Sequence, residues 1–136
     1  MVDGHPVTLE IVGARRSGLT TVLSLRLTTT DSGPVQVAST FDDGIFQKSR
    51  SPDASSVSGG NTLDGIYLID SVNAKKYLVA RDSQNNCVCS SNLGSSFVRS
   101  SGPLLLSATF AAPPPTVKMV DVFVPTFGTF KDVPLG

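Results

Sequence analysis

A single glutamate, Glu10, stands in 136 residues, and that scarcity limits the fold more than any other feature. Long helices draw on runs of Ala, Glu, Lys, Leu and Gln, and no window of this chain supplies one. Asp carries the other acidic charges, Ser and Thr are abundant, and 12 Gly and 9 Pro punctuate the sequence. Val and Thr enrichment between frequent turn residues is the compositional pattern of strands. The chain therefore reads as all-β. Its length suits one domain over residues 1–136, long enough to bury a core without metals or many disulfides.

Residues 7–12 alternate apolar and polar, which places Val7, Leu9 and Ile11 on one side. Residues 13–18 read as a polar turn, and residues 19–30 as a long strand with Leu23, Leu25 and Leu27 facing the core. Ser24, Arg26 and Thr28 face the other way, so two antiparallel strands with one wet face are expected. A turn at 31–34 follows by composition. Val35, Val37, Phe41 and Phe46 mark further short strands, interrupted by a turn at Asp42, Asp43 and Gly44. Residues 47–61 are small and polar around one apolar residue, Val57. A structureless loop of this length is uncommon in a compact domain. It reads as an insertion between strands, since closure entropy grows only with the logarithm of loop length; a functional lip is the alternative.

Residues 65–90 form the architectural centre, a meander of strands at 66–69, 76–81 and 87–90 joined by two polar loops. Ile66 and Leu68 share one face, Tyr67 and Ile69 the other. Apolar character on both faces predicts interior strands. Residues 102–110 give another strand, ended by the three prolines at 113–115, which are expected to form an extended surface connector. Strands at 116–124 and 129–133 complete the chain. Seven or eight strands with no helix between them predict two packed antiparallel sheets, a β-sandwich.

The function classes narrow in parallel. Eleven basic against eleven acidic residues, with basic pairs only at Arg15-Arg16 and Lys75-Lys76, do not make a phosphate-tracking surface, so no nucleic-acid partner is expected. No segment approaches the ~18 apolar residues of a membrane helix. Residues 1–6 have neither the basic nor the apolar region of a signal peptide. Two explanations compete, a cytosolic protein or a domain excised from a longer one with its leader or anchor outside this chain, and excision is the expectation. The only histidine, His5, sits in an expected frayed terminus, and nucleophile-elbow, zinc-protease and phosphate-loop motifs are missing. No enzyme activity and no cofactor are expected.

Cys87 and Cys89 are the one chemically distinctive pair. On a flat strand both sulfurs would face the same way, with Cα atoms ~6.6 Å apart, at the outer limit for a disulfide. A bridge would need a local bulge or turn, which the preceding Asn85-Asn86 can supply. Three readings stay open: a local disulfide, unpaired thiols, or a redox or metal module in which the two thiolates form half of a soft site.

Leu68-Ile69-Asp70, Lys76-Tyr77-Leu78, Arg81-Asp82 and 87–90 resemble a pattern in actinobacterial envelope proteins, as do 109–114 and 130–134. The resemblance is to immunoglobulin-like (telokin-like) extracellular domains, some of which precede an OmpA-type domain, and it covers residues 63–135. It implies an immunoglobulin-like sandwich, exported to the cell envelope or secreted. Its partner would be a protein or another envelope component, and it brings no catalytic residue. It also implies an oxidising setting, in which a Cys87–Cys89 disulfide is favoured.

Overall fold

The computed structural model of the chain describes residues 2, 4–37, 40–41, 62–84, 86–90, 93 and 96–136. The expected turn at Asp42 to Gly44, the strand near Phe46 and the loop at 47–61 lie outside these residues. Among the described residues there are nine strands and no α-helix. The first half supplies β1 (Val7–Ser17), β2 (Thr20–Thr29), β3 (Val35–Gln36) and β4 (Tyr67–Asp70). β5 (Lys75–Leu78), β6 (Phe97–Val98), β7 (Leu104–Ala111), β8 (Met119–Val124) and β9 (Gly128–Pro134) follow. One sheet has the order β1-β2-β7, the other β5-β4-β8-β9, and β3 pairs with β6 in a short ribbon. All strand pairs are antiparallel, as expected of an all-β sandwich.

The alternation in β2 works as the sequence predicts. Leu23, Leu25 and Leu27 are buried, and across the core Leu68, Val120, Val122 and Val124 meet them from the second sheet. Each such side chain stabilises the fold by about 1.5–3 kcal/mol on burial. β3 and β6 seal one end of this core through Val35 and Val98. Beside them the buried Phe41 ring stacks on Phe127 at 5.9 Å between centroids.

Residues 13–18 are not the expected turn. β1 continues through them to Ser17, and only Gly18 and Leu19 connect the paired Ser17 and Thr20. Gly18 has φ +60°, the first position of a type II′ hairpin, where a side chain is disfavoured. The polar cluster is regular strand from Ala14 to Ser17, entered through a β-bulge at Val12. The register slips between Ile11 and Gly13, which turns Val12 outward and brings Ala14 to the core side.

The same slip sets Arg16 on the inner phase at the end of the sheet. Its Nη2 donates to the carbonyl oxygens of Val117 at 2.9 Å and Pro114 at 3.1 Å, with Pro113 at 3.4 Å. The prolines carry the chain from the first sheet to the second and cannot donate to a ladder. Their carbonyls still need donors: Arg16 serves Pro113 and Pro114, the Val117 N–H also serves Pro114, and Lys118 Nζ serves Pro115. At the chain's other crossing, Leu135 runs parallel to Ala14, with Gly136 N donating to Ala14 O and Arg16 N to Gly136 O.

β4 is an interior strand, flanked by β5 and β8, as its two apolar faces predicted. β5 is not: it forms an edge of the four-stranded sheet. The expected strand at 76–81 splits because its second half leaves β4 and crosses to β7, where Val79 bridges Phe110.

Candidate functional site

The Cys87–Cys89 segment lies where the crossing chain meets β7. Three backbone hydrogen bonds close a ring there. Ala80 N donates to Thr109 O at 2.8 Å, Thr109 N to Val88 O at 2.9 Å, and Val88 N to Ala80 O at 2.8 Å. In a regular antiparallel pair, Val88 and Thr109 would exchange both bonds with each other. Here the crossing strand inserts Ala80 between them. The loop leading in is closed by Asp82, whose N–H donates to Asn86 O and whose carboxylate accepts from the N–H groups of Gln84 and Asn86.

Val88, the residue inside the ring, is the one flanked by the two cysteines. The structure joins Cys87 and Cys89 through their sulfurs, with Cα atoms 5.3 Å apart. That is shorter than the ~6.6 Å of a flat strand, so the backbone bends at Val88. Both cysteines are half-buried against the core, and Val88 points out. On the far side Ser90 N donates to Ser107 O, and Ser107 N donates to the Ser90 hydroxyl. Residues 86–90 thus cover the edge of β7 that β2 does not. Arg81, next to the ring, carries its guanidinium to 3.8 Å from the buried Asp64 carboxylate. Chemically, the pair can take part in thiol–disulfide exchange; structurally, it fixes the bend that the three-bond ring requires.

His5 is held rather than frayed. Its backbone exchanges hydrogen bonds with Val2, whose side chain is buried, and its Nδ1 pairs with the Asp31 carboxylate. That contact is the largest cause holding Asp31 below the ordinary carboxylate value. In the turn after β4, Asp70 accepts from the Asn73 side chain at 2.8 Å and from the N–H groups of Val72 and Asn73. The Asn73 side-chain bond is the main cause of its lowered pKa. Both carboxylates organise turns.

Two depressions mark the outer surface of the β1-β2-β7 sheet. The larger, about 720 Å³, opens at the bulge between Val12, Arg15, Val22 and Pro134. The smaller, about 350 Å³, lies between Val12, Ser24, Ser90 and Leu105. Both are open to solvent and largely apolar.

The outer face of the other sheet is a feature that sequence reasoning missed. Leu68 and Asp70 point inward on β4, so Tyr67 and Ile69 point outward; Asp121 and Phe123 do the same on β8. The register sets Tyr67 beside Leu78 and Phe123, and Ile69 beside Lys76 and Asp121. Tyr67 and Phe123 stack with centroids 4.7 Å apart, and Lys76 Nζ stands 4.1 Å over the Tyr67 ring. Leu78 at the edge is 63% exposed. The signal was in the chain, since Tyr67 and Ile69 gave β4 a second apolar face, but it was read only as interior placement.

Compared with known protein families, curated proteins and solved structures, the chain matches none. Among the described residues, no helix is long and apolar enough to cross a membrane.

Proposed function

We propose that this domain is a non-catalytic, extracytoplasmic immunoglobulin-like module of an envelope-associated or secreted protein, serving spacing, adhesion or assembly. The observation that carries the reading is the division of strands between the sheets. Immunoglobulin-like sandwiches place strands A, B, E and D in one sheet and C, F and G in the other, with C′ added beside C in some. In sequence order, β1, β2, residues 86–90 and β7 fall as A, B, D and E. β4, β5, β8 and β9 fall as C, C′, F and G. The resemblance of residues 63–135 to telokin-like extracellular domains points the same way. The reading uses no catalytic residue and no cofactor.

The pairing of Cys87 with Cys89 fits a protein that folds outside the reducing cytosol. In this reading the bridge is a structural clamp on the bend at Val88. Alkylation of protein taken from its native source, with and without prior reduction, tests it. Labelling of both cysteines only after reduction is expected. Labelling without reductant, or copper or zinc retained through purification, would favour a redox or metal module built on Cys87 and Cys89.

A further inference from the structure

We propose that the outward face of the β5-β4-β8-β9 sheet is a self-association surface, and that its occupant is a second copy of this chain. The inference goes beyond the reading above and holds whatever compartment the domain occupies. Its basis is the order of side chains across the face. One row runs Leu78, Tyr67, Phe123; the next runs Lys76, Ile69, Asp121. Across β5, β4 and β8 each row has β4 at its middle, and the second carries opposite charges at its two ends; β9 borders this part of the face, with Thr129 beside Phe123.

A two-fold axis lying in the interface along β4 turns each row over onto its own image. Lys76 of one copy then faces Asp121 of the other, and the reciprocal pair forms on the opposite side of the axis. Leu78 faces Phe123 of the second copy, while Tyr67 and Ile69 meet their own counterparts. The face is self-complementary in charge and apolar along the axis, as an isologous contact requires. Within one chain, Lys76 and Asp121 stand two strands apart, about 9–10 Å by strand spacing, and the Lys76 ammonium rests on the Tyr67 ring. Asp121 Oδ1 accepts the Asp132 N–H at 3.0 Å, which fixes the carboxylate without neutralising it; on the other sheet Arg26 stands 3.5 Å from the opposite charge of Glu10.

Long-range electrostatics do not oppose the contact. Eleven basic and eleven acidic residues give a formal net charge of zero, so two copies approach without mutual repulsion. The face is small, with strands of 4, 4, 6 and 7 residues. A small interface belongs to the reversible class, so a monomer–dimer equilibrium is expected rather than an obligate dimer.

Sedimentation equilibrium from roughly 1 µM to 1 mM spans the range in which such interfaces associate. The wild-type chain is expected to pass from monomer to dimer. Lys76→Asp and Asp121→Lys each place like charges opposite one another at both contacts, and each should raise the concentration needed for dimerisation about tenfold or more. Mixed in equal amounts, the two variants should form a heterodimer at the wild-type concentration, because every reversed charge then meets its opposite. Thermal melts monitor folding of each variant. Leu78→Lys, at an exposed edge position, is the second disruption should a charge variant fail to fold, and it should also weaken the dimer. A wild-type chain that stays monomeric throughout would overturn the proposal. So would a dimer indifferent to these substitutions, or a mixture that fails to associate.

Discussion

Ser24 and Tyr67 occupy corresponding places, each on an interior strand and each turned away from the core, yet their surroundings differ in kind. Around Ser24 the outer face carries Ser107, Thr109 and the Arg26–Glu10 pair, with Val12, Val22 and Leu105 scattered among them. Around Tyr67 it carries Phe123, Ile69 and Leu78, with one cation above the ring. An antiparallel sheet with one wet face ordinarily alternates apolar-in and polar-out. The first sheet mixes polar and apolar residues on its outer face, whereas the second sets its apolar ones side by side. Scattered surface apolar residues are ordinary, but a contiguous patch marks a place where something binds.

The inner faces should behave alike, and that sets the baseline. Leu23→Ala and Leu68→Ala, each emptying a fully buried position, should each cost about 2–5 kcal/mol in urea unfolding. A much smaller loss for either would mean that the two sheets do not share one core. The outer faces should then separate. Tyr67→Ala removes a ring stack and the platform under Lys76, and should cost about 1–2 kcal/mol. Ser24→Ala should stay within about 0.5 kcal/mol. Equal effects at the two positions would erase the distinction.

The hairpins of the two sheets differ in the same spirit. Gly18, with φ +60°, makes the β1–β2 turn with the residue suited to it, and Gly18→Ala should cost about 1 kcal/mol. The β4–β5 turn instead puts Ala74 at φ +53°, so Ala74→Gly should gain about 0.5 kcal/mol. Opposite signs are the expected outcome, read from thermal unfolding of both variants. The smallest effect is expected from titrating one turn carboxylate. Asp70 has its folded pKa held below the ordinary 3.8, so its contribution is complete above that value and fades as the pH falls through the folded pKa. Urea midpoints of the wild type and Asp70→Asn measured below about pH 5 should therefore converge on acidification. A gap that widens would assign the stabilisation elsewhere.

The sequence was most legible where the pattern is local. The alternation of Leu23, Leu25 and Leu27 sets the core face of β2 without reference to any other strand. It misled at residues 13–18, where glycine and arginine at close spacing imitate a turn. The slip at Val12 and Gly13 is a property of pairing with β2, which no single-strand pattern contains. β6 is two residues long, too short to show a period. Spacing alone showed that a Cys87–Cys89 bridge would need a bend, because a flat strand holds the pair at the outer limit for a disulfide, but it left open whether the bridge forms. The ring that bend serves was not legible, because Ala80, Val88 and Thr109 meet only through the crossing of the chain between sheets. The aromatic face was hidden for the same reason: Tyr67 and Phe123 become neighbours through a long-range register that only the folded sheet defines.

Amide NMR spectra of the wild-type chain over a dilution series test most directly whether the aromatic face is where the domain meets another copy. Resonances of Tyr67, Ile69, Lys76, Leu78, Asp121 and Phe123 should move with concentration, while those of Ser24, Leu105 and Ser107 stay fixed. Spectra that do not change on dilution, or changes clustered on the β1-β2-β7 face, would contradict the account.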